Sequence, residues 1–186
     1  MRYVLASKSP RRKDLMKFIS SDFLVATEDI DEEKSYILSP TDAVKDIAFR
    51  KGEAVYKSYP DDLVISADTI VAIDNQIIGK PIDKIDAFNI LKKLSDREHK
   101  VYTGYAIHYH NKCYVDIVET TVIFNKLSDE LINSYIESGS PMDKAGAYGY
   151  QDNEKFPIVK KIIGSINNVI GFPVEEIKKK IEEILN

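Results

Sequence analysis

The chain has no tryptophan, one cysteine, and only 8 glycines and 7 prolines among 186 residues. So little glycine and proline excludes a collagen-like or low-complexity chain. A single cysteine, Cys113, cannot close an internal disulfide, so a reducing compartment fits. Long apolar runs are missing as well. The N-terminal MRYVLASKSPRR offers only Tyr3 to Ala6, too short for a signal-peptide core, and no stretch approaches the roughly 18 residues needed to span a membrane. There is no excess of positive charge: 26 Lys and Arg stand against 30 Asp and Glu, a net charge of −4. Tracking a nucleic-acid backbone normally needs a basic face. These absences lead to the expectation of a soluble, cytoplasmic protein with no nucleic-acid and no membrane partner. What is present is ample apolar material, 44% of a 21.1 kDa chain. Surface scaling for that mass buries about 70% of the extended chain's area, enough for a core without disulfides or a structural metal.

Arg2–Ala6 reads as a short buried strand. Ser7, Ser9 and Pro10 then supply helix-start chemistry, and Leu15, Met16, Phe18 and Ile19 the apolar stripe of the helix. Phe23–Ala26 reads as a second strand running into the acidic Glu28–Glu33. Thr41 and Asp42 open a helix with Ala43, Val44, Ile47, Ala48, Ala54 and Val55 on one face, which Gly52 weakens. Leu63–Ala67 is a strand ending at Asp68 and Thr69, and Asp74-Asn75 forms a two-residue hairpin between Ile70–Ile73 and Gln76–Ile78. Asp83 caps a helix carrying Ala87, Ile90, Leu91 and Leu94. Val101–Tyr109 and Tyr114–Phe124 alternate as an antiparallel pair. Leu127–Ile136 is a helix stopped by Gly139. Met142–Gln151 is a loop, Ile158–Ile163 a strand, and Pro173 starts a final amphipathic helix. Strands and helices are intermixed with some antiparallel pairing, which predicts an α/β or α+β arrangement on a mixed central sheet with flanking helices.

Four groups of residues bear on chemistry. Ser7-Lys8-Ser9-Pro10-Arg11-Arg12-Lys13 puts hydroxyls and four cations at a strand-to-helix turn, a local sink for a polyphosphate. Cations in a first turn oppose the helix dipole, which favours a ligand over a purely structural role. Asp68-Thr69 follows a strand, where α/β enzymes place catalytic groups, although a lone Asp there is more often a turn cap. Glu32, with Asp68, could hold a hard divalent cation that takes its other oxygens from phosphate. Lys51, Lys80 and Lys144 lie beside Gly, Pro or Ala and project from loop edges, as ordinary surface lysines also do. His108-x-His110 with Cys113 mimics a metal-ligand spacing but lacks a fourth ligand, and nothing nearby lowers the Cys113 pKa as a nucleophile needs. Neither a GxxxxGK[ST] nor a GxGxxG phosphate loop occurs.

The segments LASKSPRRKDLM, SADTIVAIDNQIIGKPID, LSDREHKVYTG, DKAGAYGYQ and GSINNVIGFP, in this order, resemble the Maf family of nucleoside triphosphate pyrophosphatases over nearly the whole chain. The resemblance implies a single Maf-like domain over residues 1–186. It also implies an elongated two-lobed architecture around a central cleft, similar to the inosine triphosphatase (Maf/Ham1) fold. The implied activity is hydrolysis of a nucleoside triphosphate to the monophosphate and pyrophosphate with Mg²⁺, Mn²⁺ or Co²⁺. Asp68 matches the family's proton acceptor. Arg11, Thr69 and Gln151 match the specificity positions of the branch acting on dTTP and UTP. Ser7, Ser9, Arg12, Lys51, Lys80 and Lys144 fall at phosphate-binding places, and Glu32 with Asp68 at the metal. Asp68 is then base, metal ligand, or both. A homodimer is also implied. Three departures stand out: Asp96 in LSDR where the family usually has LSGR, Ser140 where it commonly has Gly-Glu-Pro, and Asp152 in place of the glycine of IQG. The alternatives are the branch preferring 7-methyl-GTP and a non-catalytic nucleotide-binding regulator of septum formation.

Overall fold

The computed structural model describes residues 1–186. Seven strands form one mixed sheet: β1 (Tyr3–Leu5), β2 (Phe23–Val25), β3 (Leu63–Ile73), β4 (Gln76–Ile78), β5 (Glu98–Tyr109), β6 (Lys112–Phe124) and β7 (Val159–Ile163). Their order is β2-β1-β3-β5-β6-β7, with β4 paired to β3 off this path. β1 is parallel to both β2 and β3, in the register Tyr3↔Phe23 and Tyr3↔Leu63, whereas β4 on β3 and β7 on β6 are antiparallel. The helices are α1 (Pro10–Met16), α2 (Pro40–Tyr56), α3 (Lys84–Leu94), α4 (Asp129–Glu137), α5 (Ile166–Ile170) and α6 (Val174–Leu185). No helix is long and apolar enough to cross a membrane.

The chain divides into two compact units. The first comprises Met1–Thr69, Thr103–Val118 and Gly171–Asn186, the second Ile70–Tyr102 and Glu119–Ile170. In the first, Val4, Ala6, Val55 and Val64 form a core cluster with Tyr56 and Tyr59 against it. In the second, Val71, Ile73, Leu91, Leu94, Val122, Phe124 and Tyr148 belong to a larger one.

Local chemistry explains most element boundaries, and also where the sequence reading slips. Ser9 caps α1 with Pro10 in its first turn, as expected, but the helix stops at Met16 and leaves Phe18 65% exposed. α2 begins at Pro40, one residue before the predicted start, because Ser39 accepts the Asp42 N–H at 3.2 Å and takes the cap. β3 does not end at Asp68: it runs through Thr69 to Ile73 without a break. The polar pair reads as a strand end only while its cationic partners, which come from elsewhere in the chain, are unknown. The turns Asp74-Asn75 and His110-Asn111 both have two positive φ values, the signature of a tight type I′ hairpin. Asp96, at the place of the family glycine, also sits at φ 58°. Residues 140–152 are three short 3₁₀ turns, and α5 is an element that periodicity did not reveal.

His99 in the second unit sets a pH dependence for the fold. Its ring lies edge-on to Phe124 and Tyr148, Nε2 pairs with the Tyr148 hydroxyl at 2.8 Å, and Nδ1 finds no partner. Burial pushes its pKa down to about 3. Below about pH 6.5 the unfolded chain therefore takes up a proton that the folded chain refuses, and stability falls as pH falls, by up to about 1.4 kcal/mol per pH unit. Thermal unfolding between pH 6.5 and 5 is expected to cost wild type about 2 kcal/mol more than His99→Phe. Parallel slopes for the two proteins would remove this histidine from the account.

Candidate active site

The first unit gathers the residues of the N-terminal turn with those of α2 and β3. Ser7, buried after β1, accepts the Ser9 N–H at 3.2 Å, and the Ser9 hydroxyl accepts the Arg12 N–H at 3.4 Å. Both hydroxyls thus shape the turn. Arg12 is clamped by three acceptors: Nε donates to the Gly171 carbonyl at 2.8 Å, Nη2 to Thr69 Oγ1 at 3.2 Å and Nη1 to Ser7 Oγ at 3.4 Å. Desolvation pulls the Arg12 pKa down, and Asp68, ahead of Glu32, pulls it back up, while Arg11 adds a like charge. Arg11, Arg12, Asp68 and Glu32 therefore share one electrostatic neighbourhood.

Asp68 is 7% exposed, and its Oδ1 accepts from Lys51 Nζ at 2.9 Å. The same ammonium lies 2.8 Å from Glu32 Oε1, so a single cation bridges the two carboxylates. Lys51 reaches them from within α2 and not from a loop edge, because Gly52 beside it is accommodated in the helix interior. Glu32 is fixed from the other side: Arg50, on the same helix, donates to the Asp31 carbonyl at 2.7 Å and to Asp46 at 2.8 Å, and Ser35 donates to Asp46 at 2.6 Å. The Ser35 hydroxyl and the Arg50 guanidinium hold the Asp46 carboxyl below its usual range. The segment that carries Glu32 is thereby stapled to the helix that carries Lys51. Burial and the nearby charges of Asp68 and Glu32 push the Tyr36 phenol up to about 12.

The second unit brings together Lys80, Lys144 and Gln151. The Gly146 N–H donates to the Gly79 carbonyl at 3.0 Å, joining the Lys80 turn to the Lys144 turn. Lys144 Nζ donates to Asp143 at 2.8 Å, to Ser140 Oγ at 3.0 Å, and to the Ser140 carbonyl. The Lys144 and Gln151 side chains both come down beside Gly149.

Several residues of these networks escape sequence reasoning. Thr103 is fully buried in β5 and meets the Thr69 hydroxyl at 3.0 Å. Strand alternation marks it only as an inward position. Gly171 holds φ +111° and offers its carbonyl to Arg12, and a Cβ there would stand 3.0 Å from Thr69 Oγ1. A left-handed backbone pressed against the site needs glycine. Its one sequence signal is the GSINNVIGFP segment. His108 and Cys113 form no ligand cluster: His108 stacks on Tyr56, its Nε2 sits 3.3 Å from Cys113 Sγ, and burial pushes the thiol up to about 11.

A family model described as Maf-like protein matches residues 2–184. A dTTP/UTP pyrophosphatase of Symbiobacterium thermophilum is 42% identical over 171 residues, covering 92% of this chain and 88% of that one. One from Clostridium botulinum (strain Alaska E43 / Type E3) is 40% identical across 100% of both chains. The fold is that of a HAM1 protein from Coxiella burnetii, with a TM-score of 0.59 at 13% identity over 98% of this chain and 99% of the other. With the SPRR turn, ADT strand and DKAGAYG segment all in place along residues 2–184, the chain belongs to the Maf family.

Proposed function

We propose that this chain hydrolyses dTTP and UTP between the α and β phosphates, releasing the nucleoside monophosphate and pyrophosphate. The observation that carries the reading is the convergence of Arg12, Lys51, Glu32 and Asp68 in the first unit, a carboxylate held among cations. Relatives about 40% identical are named for this activity. Arg11, Arg12 and Lys51 meet the charge of the triphosphate, and Arg12, clamped on three sides, does so without reorganising. Asp68 accepts a proton from the attacking water while its oxygen bonds to the α-phosphorus. The bond to the bridging oxygen breaks, and pyrophosphate leaves with that electron pair. The resemblance of the motifs gives Lys80 and Lys144, of the second unit, phosphate roles, and Arg11, Thr69 and Gln151 the base specificity. Thr69 has a further task, since its hydroxyl is already placed against Arg12 and Thr103.

Glu32 and Asp68 suit a divalent cation. Both carboxylates already converge on one positive charge, the Lys51 ammonium, and hard cations such as Mg²⁺ take few protein carboxylates and complete their shell with water and phosphate. When bound, the metal neutralises phosphate oxygens and lowers the pKa of water.

The test is pyrophosphate release from dTTP, UTP, CTP, GTP and 7-methyl-GTP, with and without EDTA. dTTP and UTP are expected to turn over at least about tenfold faster than the rest, a preference of about 1.4 kcal/mol, and EDTA to abolish it. Faster hydrolysis of 7-methyl-GTP, or release of orthophosphate, overturns the substrate or the reaction respectively.

A further inference from the structure

In the second unit two hydroxyls end on one carboxylate oxygen. Tyr135 OH and Ser140 Oγ each lie 2.6 Å from Asp152 Oδ2. Tyr135 OH also receives the Gly149 N–H at 3.0 Å, and Ser140 Oγ receives Lys144 Nζ at 3.0 Å. The directions are forced. A backbone N–H and an ammonium only donate, and an ionised carboxylate only accepts. Each hydroxyl must therefore spend its single proton on Asp152. Tyr135 is fully buried in α4, so its hydroxyl has no water to turn to. Two donor chains result that converge on Asp152, one from Lys144 through Ser140 and one from the Gly149 backbone N–H through Tyr135. The turn between is closed by its own bonds, Asp152 N–H to the Gly149 carbonyl at 3.1 Å and Phe156 N–H to the Asp152 carbonyl at 2.8 Å. Gln151 is carried on this turn.

We propose that Asp152 is a positioning residue: acting through Tyr135 and Ser140, it fixes Lys144 and the backbone that presents Gln151, and so sets discrimination between uracil-type and cytosine bases. This rests on the function proposed above, with Gln151 reading the base. A glutamine amide carries a donor and an acceptor, and turned over it pairs equally with the opposite pattern. It selects one pyrimidine only when its surroundings favour one amide orientation over the other, and the Gln151 Oε1 lies over Gly149 where the Lys144 stem also comes down, the two groups that this network fixes. Two of the departures from the Maf pattern, Ser140 and Asp152, are thus bonded to each other, and the carboxylate here stands on the Gln151 turn itself.

The experiment measures kcat and KM for dTTP and CTP in wild type, Asp152→Asn, Tyr135→Phe, their double variant, Ser140→Ala and Gln151→Ala. Asparagine keeps the volume, and its one carbonyl oxygen can still receive both hydroxyl protons, but it lacks the negative charge that strengthens both bonds. Asp152→Asn is expected to cut the dTTP-over-CTP ratio of kcat/KM roughly tenfold, as for two bonds that lose their charged acceptor, through KM for dTTP with kcat within about twofold. Tyr135→Phe moves the ratio the same way and the double variant no further, because one network is cut twice. Ser140→Ala, which parts Lys144 from the carboxylate without touching the turn, raises KM for both nucleotides. An unchanged ratio in Asp152→Asn, a loss confined to kcat or to Tm, or additive losses in the double variant overturns the inference. If instead Gln151→Ala leaves the ratio at its wild-type value, the base-reading role itself fails and the inference falls with it, while pyrophosphate release by wild type still stands for the reaction.

Discussion

Asp68→Asn is expected to lower kcat at least about 10³-fold, roughly 4 kcal/mol of transition-state stabilisation, and to leave nucleotide binding intact. Asparagine fills the same space, still accepts from Lys51 through its oxygen, and loses only the negative charge and the ability to take a proton. That charge lies near Arg12 and 2.9 Å from Lys51, in a neighbourhood that must also accommodate an anionic substrate. Measured in EDTA, so that Asp68's part in holding a metal does not enter, removing it therefore does not weaken triphosphate binding; Kd stays level or tightens by a few fold. Lys51 keeps Glu32 at 2.8 Å, so the ammonium is not left unpartnered and the fold survives. Calorimetric titration with a non-hydrolysable dTTP analogue, beside a pyrophosphate-release assay, separates the two effects. A wild type that binds nucleotide but releases no pyrophosphate would support the regulator reading instead. A variant with near wild-type turnover would move the proton acceptor elsewhere in the network.

How much of this was legible in the chain differs by residue. The SPRR turn was readable because Ser9 and Pro10 are local signals whose partners lie within three residues. Asp83 and the Asp74-Asn75 turn were readable for the same reason. Asp68 was legible as a candidate but not as a mid-strand residue. Its place inside β3 depends on Lys51, 17 positions upstream, and on Arg12, further still. The scaffold that aims Glu32 is less legible again. Ser35, Asp46 and Arg50 look like scattered polar residues until α2 folds and brings the four-residue spacing of Asp46 and Arg50 onto the segment before it. Tyr135 reads as part of the buried stripe of α4, which it is; nothing in helical periodicity tells that its hydroxyl closes a bond to Asp152. The family resemblance supplied what periodicity could not, because it carries long-range pairings in the identity of short motifs.

Gly52→Ala is the second large effect, and here the sequence pointed the wrong way. In a helix interior alanine is intrinsically better than glycine by about 1 kcal/mol, so α2 read alone predicts a gain. The packing reverses the sign. A Cβ at position 52 would stand 2.6 Å from His108 Cδ2 and from Ser66 Oγ, and 2.7 Å from His108 Nε2. Neither neighbour can retreat. The His108 ring is stacked on Tyr56, meets Phe49 at a tilt and is set against Cys113, and Ser66 donates to the Ala48 carbonyl at 2.6 Å, the group one turn back in the same helix. Overpacking costs about 1–3 kcal/mol, and three contacts under 3 Å against rigid neighbours put Gly52→Ala at the upper end, about 3 kcal/mol, against a propensity gain of about 1 kcal/mol. The net expectation is a loss of about 2 kcal/mol, which for a chain of this size lowers Tm by roughly 4–8 °C. The displacement has a second reading, since Lys51 is the adjacent residue and its ammonium must stay within reach of both Glu32 and Asp68. A helix pushed off the sheet carries that ammonium with it, and a shift of about 1 Å in such a group costs up to 10²-fold in rate. Differential scanning calorimetry and turnover below the lowered Tm are to be measured together. If Tm rises, as helix propensity alone demands, then α2 does not lie as close to β3 and β5 as the Gly52 contacts require.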